Sequence, residues 1–221
     1  MNKVALVTGA AKGIGKAIAT ELAKSSYDVV INYLTSKDEA NKLAKQLTTK
    51  YGVSVLAIQA DVSCEAEVSL MFDQIESSLG GVDIVINNAA IDLSNLWNQK
   101  DASNFRRTLD VNVIGAYNVA RRAEKHMKEK KWGKIVNISS TNGINTYFPM
   151  SVEYDASKAA LISLTHNLAV QLAPYVNVNA IAPGFIGTES ELDGYDQQFL
   201  KSEQEKILLG RYGEPEEVAK L

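Results

Sequence analysis

The chain has 221 residues, of which 46% are hydrophobic and 22% charged, and its formal net charge is −3. This composition is typical of a globular protein, and the scattered charges form no basic face for nucleic acid. No apolar stretch approaches the ~20 residues of a membrane span, and the first apolar run is too short for a signal peptide. We expect a cytoplasmic protein that forms one dinucleotide-binding and catalytic domain over residues 1–221, with neither nucleic-acid nor membrane partners.

Short apolar runs alternate with longer amphipathic patterns along the chain. A run such as VALV at residues 4–7 is too short for a helix and is as continuously apolar as a buried strand. Strands are predicted at residues 4–7, 29–31, 53–58, 84–86, 134–138 and 176–181. Apolar residues at helical spacing predict helices at residues 14–22, 39–50, 65–79, 104–130 and 152–172.

This alternation predicts an α/β fold, a doubly wound parallel sheet with right-handed crossovers and helices on both faces. Such sheets bind ligands beyond the carboxyl ends of their strands, where the strand order reverses. Residues that directly follow a strand are therefore the first candidates for a functional site.

Metal-binding patterns are missing from the sequence. Cys64 is the only cysteine, and a small residue at a helix start is the preferred interpretation over a reactive thiol. His126 lies in a charged run and His166 among apolar residues of a predicted helix. No cluster of His, Cys and carboxylates has metal-ligand spacing, so we predict no metal site.

A glycine-rich loop, TGAAKGIG, follows the first strand at residues 8–15. Glycines let the backbone approach a pyrophosphate, and the N-terminus of the next helix favours its negative charge. The spacing is not that of a P-loop, in which Ser or Thr follows Gly-Lys, because Ala17 follows Gly15-Lys16 here. The loop does not match G-x-G-x-x-G either, because Ile18 occupies the position of the last glycine. Because the loop follows the first strand, we favour phosphate binding over a simple turn.

Later segments that match a known family follow in order, most of them at the ends of strands. They are Asp61-Val62, Asn87-Asn88-Ala89-Ala90, Asn112 to Gly115, Ser139-Ser140, Tyr154 with Lys158, and Pro183-Gly184 with Thr188. With the glycine loop, they resemble the motifs of the short-chain dehydrogenase/reductase family over essentially the whole chain. This resemblance implies a Rossmann-type fold and an oxidoreductase that transfers a hydride between a nicotinamide cofactor and a carbonyl or secondary alcohol.

Tyrosine and lysine four residues apart occur twice, in YLTSK at residues 33–37 and in YDASK at residues 154–158. Tyr33 lies where the second strand ends, before a predicted turn and helix cap, so Lys37 does not share a helical face with it. Tyr154 and Lys158 lie in one predicted helix, where residues i and i+4 share a face. A nearby ammonium group lowers the pKa of a phenol from its usual value of ~10. The second pair is therefore the expected catalytic pair.

The resemblance implies roles for four catalytic residues. Tyr154 would be the general acid when a ketone is reduced, and the base when an alcohol is oxidised. Ser140 would hydrogen-bond the carbonyl oxygen, Lys158 would lower the pKa of the tyrosine and hold the nicotinamide ribose, and Asn112 would support a water-linked proton relay.

The cofactor site implied by the resemblance consists of Gly9, Lys12, Gly13, Ile14, Gly15, Tyr33, Asp61, Val62, Asn88, Ala89, Ala90, Pro183, Gly184, Ile186 and Thr188. NAD-binding proteins usually place an acid at the end of the second strand, and NADP-binding proteins place a cation near the 2′-phosphate. Tyr33 occupies the acid position, and Lys12 stands where NADP-using relatives often carry a basic residue. We therefore predict NADP(H), with NAD(H) as the alternative and Lys37 as a further contact.

The substrate pocket is expected to include Asn142 and residues 93–97, 147–150 and 185–192, the last of them an irregular, mobile flap. Within the family the chain looks closest to 3-oxoacyl-[acyl-carrier-protein] reductases, although IDLS at residues 91–94 lacks their usual threonine-arginine. A glucose-type sugar dehydrogenase or a general carbonyl reductase stays open. A non-catalytic NADP(H)-binding sensor is disfavoured because all four catalytic residue types are present.

The segment GEPEEVA at residues 213–219 resembles the start of the family's late helix, and the chain ends at Leu221. Family members continue into a last strand that helps to build their tetramer. We therefore expect a C-terminally short domain that lacks this strand, and a homotetramer or homodimer if the remaining region is present.

Overall fold

The computed structural model of the protein describes residues 2–93, 96–148 and 150–221. Its strands are β1 (Val4–Val7), β2 (Asp28–Tyr33), β3 (Val55–Gln59), β4 (Ile84–Asn87), β5 (Gly133–Ile138) and β6 (Val176–Ile181). They form a six-stranded parallel sheet in the order β3-β2-β1-β4-β5-β6. This is the strand order of a Rossmann fold, so the predicted doubly wound sheet is confirmed.

Helices cover both faces of the sheet. They are α1 (Gly13–Lys24), α2 (Lys37–Tyr51), α3 (Glu65–Leu79), α4 (Ala102–Leu109), α5 (Gly115–Glu129), α6 (Val152–Leu172), α7 (Glu189–Gly194), α8 (Gln197–Glu205) and α9 (Pro215–Ala219). Within the described part of the chain, no helix has the length and hydropathy needed to cross a membrane.

Strand side chains alternate between two hydrophobic cores. On β1, Val4 and Leu6 belong to the core that also contains residues of α3, α5 and α6. Ala5 and Val7 point to the other core, which contains residues of α1 and α2. A parallel sheet covered on both faces buries both sets of side chains, which explains why its strands are continuously apolar rather than alternating.

The helical region predicted over residues 104–130 is confirmed, but it contains a turn that the sequence pattern did not indicate. A π-helical turn, Asp110–Ile114, separates α4 from α5. Such a turn inserts an extra residue into the helix, and π-turns are frequent at functional sites. Asn112 is buried in this turn.

The segment at residues 185–192 was expected to be irregular, which is confirmed for residues 185–188 apart from one β-bridge and wrong from Glu189 onward. Ile186 forms a parallel β-bridge with Gly213, and α7 begins at Glu189. Backbone hydrogen bonds from Gly187 N to Gly213 O (2.9 Å) and from Gly213 N to Phe185 O (3.1 Å) hold the segment against the start of the late helix. The hydrogen-bond partners of this segment come from a distant part of the chain, so the residues of the segment itself could not indicate them.

Phe72 on α3 is among the largest fully buried side chains of the protein, with an exposed fraction of 1%. We predict that Phe72→Ala lowers the free energy of unfolding by about 3–5 kcal/mol, because it leaves a cavity under the sheet. Leu70→Ala on the same helix is the matched control, since Leu70 is 68% exposed and should change stability by about 0.5 kcal/mol or less. Equal losses in urea denaturation of the two variants would contradict the assigned orientation of α3.

Candidate active site

A cavity of about 220 Å³ adjoins the ends of β1, β2, β3 and β4. It lies where the strand order reverses, because β1 pairs with both β2 and β4. Its lining residues are Gly9, Ala11, Lys12, Asn32, Tyr33, Leu34, Thr35, Ser36, Ala60, Asp61, Val62, Asn88, Ala89, Ala90, Ile91, Arg107 and Val111. Many of the residues expected to bind the cofactor therefore surround one cavity. Lys37 is not among these described lining residues.

Reciprocal hydrogen bonds join the loops that follow β1 and β4 beside this cavity. Thr8 Oγ1 accepts hydrogen bonds from the backbone N–H groups of Asn88 and Ala89, both at 3.0 Å. Asn88 Nδ2 donates in return to the carbonyl oxygens of Thr8 (2.9 Å) and Gly9 (3.1 Å). Gly9 has φ +61°, and a Cβ there would lie 2.9 Å from Cα of Ala89. Glycine is required at this position by both conformation and space.

The N-terminus of α1 fits an anionic group. Its N-cap residue, Lys12, makes no side-chain cap hydrogen bond, and the first turn carries no acidic residue. The first backbone N–H groups of a helix lack partners within the helix, and its dipole favours negative charge there. Gly13 and Thr188 lie close together, since a Cβ on Gly13 would be 3.4 Å from Cγ2 of Thr188. These features suit the pyrophosphate of a dinucleotide.

Asn32 is a site residue that the sequence reasoning missed. Its Oδ1 accepts from Gly9 N (3.3 Å), and its Nδ2 donates to Ala60 O (3.1 Å). The side chain is 1% exposed and joins the turns that follow β1 and β3. A single amide inside the apolar run DVVINY was the signal that could have revealed it, because buried polar groups require partners.

The part of the cavity that follows β3 contains an ion pair. Arg107 donates to Asp61 Oδ2 (3.1 Å) and to Ser63 Oγ (2.8 Å), and Ser63 itself donates to Asp61 Oδ1 from both N and Oγ. Burial alone would raise the pKa of Asp61, but the hydrogen bonds from Ser63 and Arg107 outweigh it and lower the pKa. Asp61 is therefore ionised and its charge is balanced. Arg107 was not predicted from the sequence.

Tyr33 is more buried than expected for a residue that contacts a cofactor ribose at the protein surface. Its side chain is only 6% exposed and belongs to the core beneath α1 and α2. Its carbonyl oxygen accepts from Ala60 N at 3.0 Å. The tyrosine lines the cavity at the expected strand end, but most of its ring packs inside the protein.

Two consecutive serines at the end of β5 have different surroundings. Ser139 is 3% exposed, and its Oγ donates to the carbonyl oxygen of Lys158 at 2.9 Å. Ser140 is only partly buried and begins a short 3₁₀ turn, where its Oγ accepts from Asn142 N at 3.2 Å. The hydroxyl of Ser139 is thus committed to α6, and that of Ser140 lies nearer the surface of the site.

Lys158 carries a buried charge beside Tyr154. Its side chain is buried, and its Nζ donates to Ile138 O at 2.7 Å. The same Nζ lies 5.3 Å from the centroid of the Tyr154 ring, as expected for residues i and i+4 of one helix. Burial lowers the pKa of Lys158 from 10.5 to about 8, and the carboxylate of Asp92 opposes this shift. Lys158 is therefore mostly protonated at neutral pH.

Asn112 braces the loop that follows β4. Its Oδ1 accepts from Ile91 N (2.8 Å), and its Nδ2 donates to Ile91 O (3.0 Å) and to Ser157 Oγ (2.9 Å). The side chain thus joins the π-turn to the loop and to α6. Its expected part in a proton relay stays a prediction.

The remaining predicted residues lie around the ends of β5 and β6. Thr141 N donates to Pro183 O at 3.0 Å, which joins the loops after these two strands. Asn142 Nδ2 donates to Asp155 Oδ1 (2.7 Å), and Phe148 N donates to Asp155 Oδ2 (3.0 Å).

The predicted pocket residues Ser94, Asn95 and Pro149 lie outside the described residues. Across the described residues, no group of three or more His, Cys, Asp or Glu could hold a metal ion.

Comparison with known proteins identifies the family. A family model described as short chain dehydrogenase matches residues 3–197. The chain belongs to the short chain dehydrogenase family. This dehydrogenase is therefore an oxidoreductase that acts on CH–OH groups with a nicotinamide cofactor.

Relatives of this dehydrogenase carry two different activities in their names. It is 38% identical over 219 residues to the 3-oxoacyl-[acyl-carrier-protein] reductase FabG of Aquifex aeolicus (strain VF5), covering 99% of this chain and 87% of the relative. It is 38% identical over 223 residues to the FabG of Staphylococcus epidermidis (strain ATCC 35984), covering 99% and 89%. It is also 34% identical over 221 residues to glucose 1-dehydrogenase 2 of Bacillus subtilis (strain 168), covering 99% and 85%.

The buried charge of Lys158 predicts a distinctive dependence of stability on pH. Its pKa is about 8 in the folded dehydrogenase and 10.5 in the free side chain, so the cost of burying the charge is fully present below pH 8 and vanishes as pH rises towards 10.5. At roughly 1.4 kcal/mol per pKa unit, this cost is about 3–4 kcal/mol. Lys158→Met removes it, so the stability of the variant relative to wild type should fall as pH rises through this range.

Urea denaturation of both proteins at several pH values measures this trend. Lys134→Met removes an exposed lysine on β5 and is the matched control, which should keep the pH dependence of the wild type. A constant stability difference between Lys158→Met and wild type would contradict the burial of a charged ammonium group.

Proposed function

We propose that this dehydrogenase reduces 3-oxoacyl thioesters, carried by acyl carrier protein, with NADPH. The observation that carries the proposal is the buried ammonium group of Lys158 beside the ring of Tyr154, on the helix that follows Ser140. The names of two similar proteins, both 3-oxoacyl-[acyl-carrier-protein] reductases, support the choice of substrate.

In the proposed reaction the nicotinamide supplies the hydride, and the protein handles the proton and the developing charge. Tyr154 donates its phenolic proton to the carbonyl oxygen of the substrate. Ser140 Oγ would donate a hydrogen bond to the same oxygen and stabilise the negative charge that develops on it. The ammonium group of Lys158 favours the phenolate that remains on Tyr154 and so lowers the cost of proton transfer.

The charges around the cavity support NADPH rather than NADH. Lys12 is exposed at the start of α1 and lines the cavity together with the hydroxyl-bearing Thr35 and Ser36. The carboxylate among the described lining residues, Asp61, is already paired with Arg107. A 2′-phosphate beside Lys12 would thus meet a cation and hydroxyl donors, without a carboxylate at the end of β2 to repel it.

Tyr154→Phe tests the catalytic assignment. We predict that it lowers kcat for acetoacetyl-coenzyme A reduction by about 100-fold or more, because the proton donor is lost. The dissociation constant of NADPH, measured by fluorescence quenching, should stay within about twofold of wild type. Tyr175→Phe changes an exposed tyrosine before β6 and should retain the activity of the wild type.

Two outcomes of these assays would count against the proposal. Unchanged turnover in Tyr154→Phe would remove Tyr154 from the mechanism. Glucose oxidation with NADP⁺ at a higher kcat/KM than acetoacetyl-coenzyme A reduction would replace the thioester by a sugar as the substrate.

Lys12→Ala tests the cofactor preference. Wild-type kcat/KM should be higher with NADPH than with NADH, and the variant should lose about tenfold with NADPH because a charge-assisted contact is lost. Activity with NADH should change little, so the gap between the cofactors narrows. Lys16→Ala, an exposed lysine within α1, is the control. Equal or better use of NADH by the wild type would contradict the predicted preference.

A further inference from the structure

The residue that precedes the proposed catalytic tyrosine belongs to a buried ion pair. Lys100 Nζ donates to Glu153 Oε1, and the two side chains are 6% and 2% exposed. Lys100 Nζ also donates to the carbonyl oxygen of Leu93 at 2.8 Å. Glu153 lies in the first turn of α6 and directly precedes Tyr154. The proposed mechanism uses neither Lys100 nor Glu153.

Stability alone is a weak reason for this pair. Removing two charges from water is costly, and apolar residues of similar volume often replace a buried ion pair without loss of stability. A charge-assisted hydrogen bond has a narrow range of lengths and angles, whereas apolar contacts allow sliding. A buried ion pair is therefore better suited to holding two segments at a defined separation than to strengthening the core.

The two segments held by the pair are the loop after β4 and the first turns of α6. Ser151 Oγ donates to Asp92 Oδ2 at 2.7 Å, and Asn112 joins Ile91 to Ser157. Ser151 occupies the N-cap position of α6, yet its side chain makes no capping hydrogen bond. Serine at this position usually caps its own helix. Its hydroxyl instead binds the loop, which indicates that attachment of the loop is favoured over local capping.

The loop continues from the cavity, which Ala89, Ala90 and Ile91 line. It is attached to α6 on both sides of Tyr154 in the sequence, directly at Ser151 and Glu153 and, through Asn112, at Ser157. A shift of the loop relative to α6 would therefore change the distance between the tyrosine and the cofactor cavity. Proton transfer requires donor and acceptor within hydrogen-bond reach, so a small shift has a large effect on rate.

We propose that Lys100 and Glu153 are positioning residues, whose ion pair sets the orientation of the Tyr154 phenol relative to the cofactor. The proposal rests on the proposed role of Tyr154. It predicts that kcat depends on the ion pair itself, not only on the stability that accompanies it.

The variants Lys100→Met, Glu153→Gln and the double variant Lys100→Met/Glu153→Met separate these two effects. Each single variant leaves a buried polar group without its partner and should lower both Tm and kcat. The double variant replaces the pair by apolar side chains and should recover most of the Tm. Its kcat should stay at least about tenfold below that of wild type, with KM and the dissociation constant of NADPH within about threefold.

Lys128→Met is the matched control, since it breaks the partly exposed i,i+4 ion pair with Glu124 on α5. It should leave kcat at the wild-type value. Turnover is followed with acetoacetyl-coenzyme A and NADPH and, in the opposite direction, with glucose and NADP⁺. The effect on kcat can therefore be measured whichever substrate class the dehydrogenase uses.

Recovery of kcat together with Tm in the double variant would overturn the proposal and leave the pair a purely structural role. Failure of the double variant to fold would also overturn it, because the pair would then be a folding requirement. Tyr154→Phe separates the two proposals. If that variant keeps full turnover, the proposed function fails. If it loses turnover while the Lys100 and Glu153 variants keep wild-type kcat, only the positioning role fails.

Discussion

The candidate site depends on the pairing of β1 with both β2 and β4. The register aligns Val7, the last residue of β1, with Ile31 on one side and with Ile86 on the other, and β2 and β4 continue two and one residues beyond these partners. The chain leaves β1 towards a helix on one face of the sheet and leaves β4 towards the other face, which opens a crevice between them. Thr8 and Asn88 then close the base of this crevice through reciprocal hydrogen bonds. The cavity, the glycine loop and the N-terminus of α1 all take their places from this arrangement.

On the other side of the crevice, the protein buries charge where its proposed chemistry occurs. Lys158 Nζ lies against the ring of Tyr154, and burial lowers the pKa of this lysine. Glu153, which directly precedes Tyr154 in the chain, is buried in an ion pair with Lys100. Buried charges are costly, and an apolar core would not need them. Their concentration at the start of α6 is what the positioning of a proton donor would require. The stability of this region and its proposed activity therefore make opposing demands on the same side chains.

Local patterns predicted most of the fold, and long-range contacts account for the errors. Apolar runs located all six strands, and helical spacing located the helices that flank them. The π-turn around Asn112 was missed because the contacts that accompany it lie outside the helix. They are the hydrogen bonds from the Asn112 side chain to Ile91 and Ser157. The segment after β6 was expected to be irregular because its β-bridge partner, Gly213, comes much later in the chain.

The sequence by itself determined the alternating α/β order, the glycine loop after the first strand and the helical spacing of Tyr154 and Lys158. Each follows from residues that are neighbours in the chain, where backbone geometry sets the outcome. Only the tertiary structure decided that Asn32 joins the turns after β1 and β3, that Arg107 pairs with Asp61, and that Lys100 meets Glu153. Lys100 and Glu153 are 53 positions apart in the chain. Such partners are selected by burial, because a polar group removed from water must find its complement wherever the fold places one.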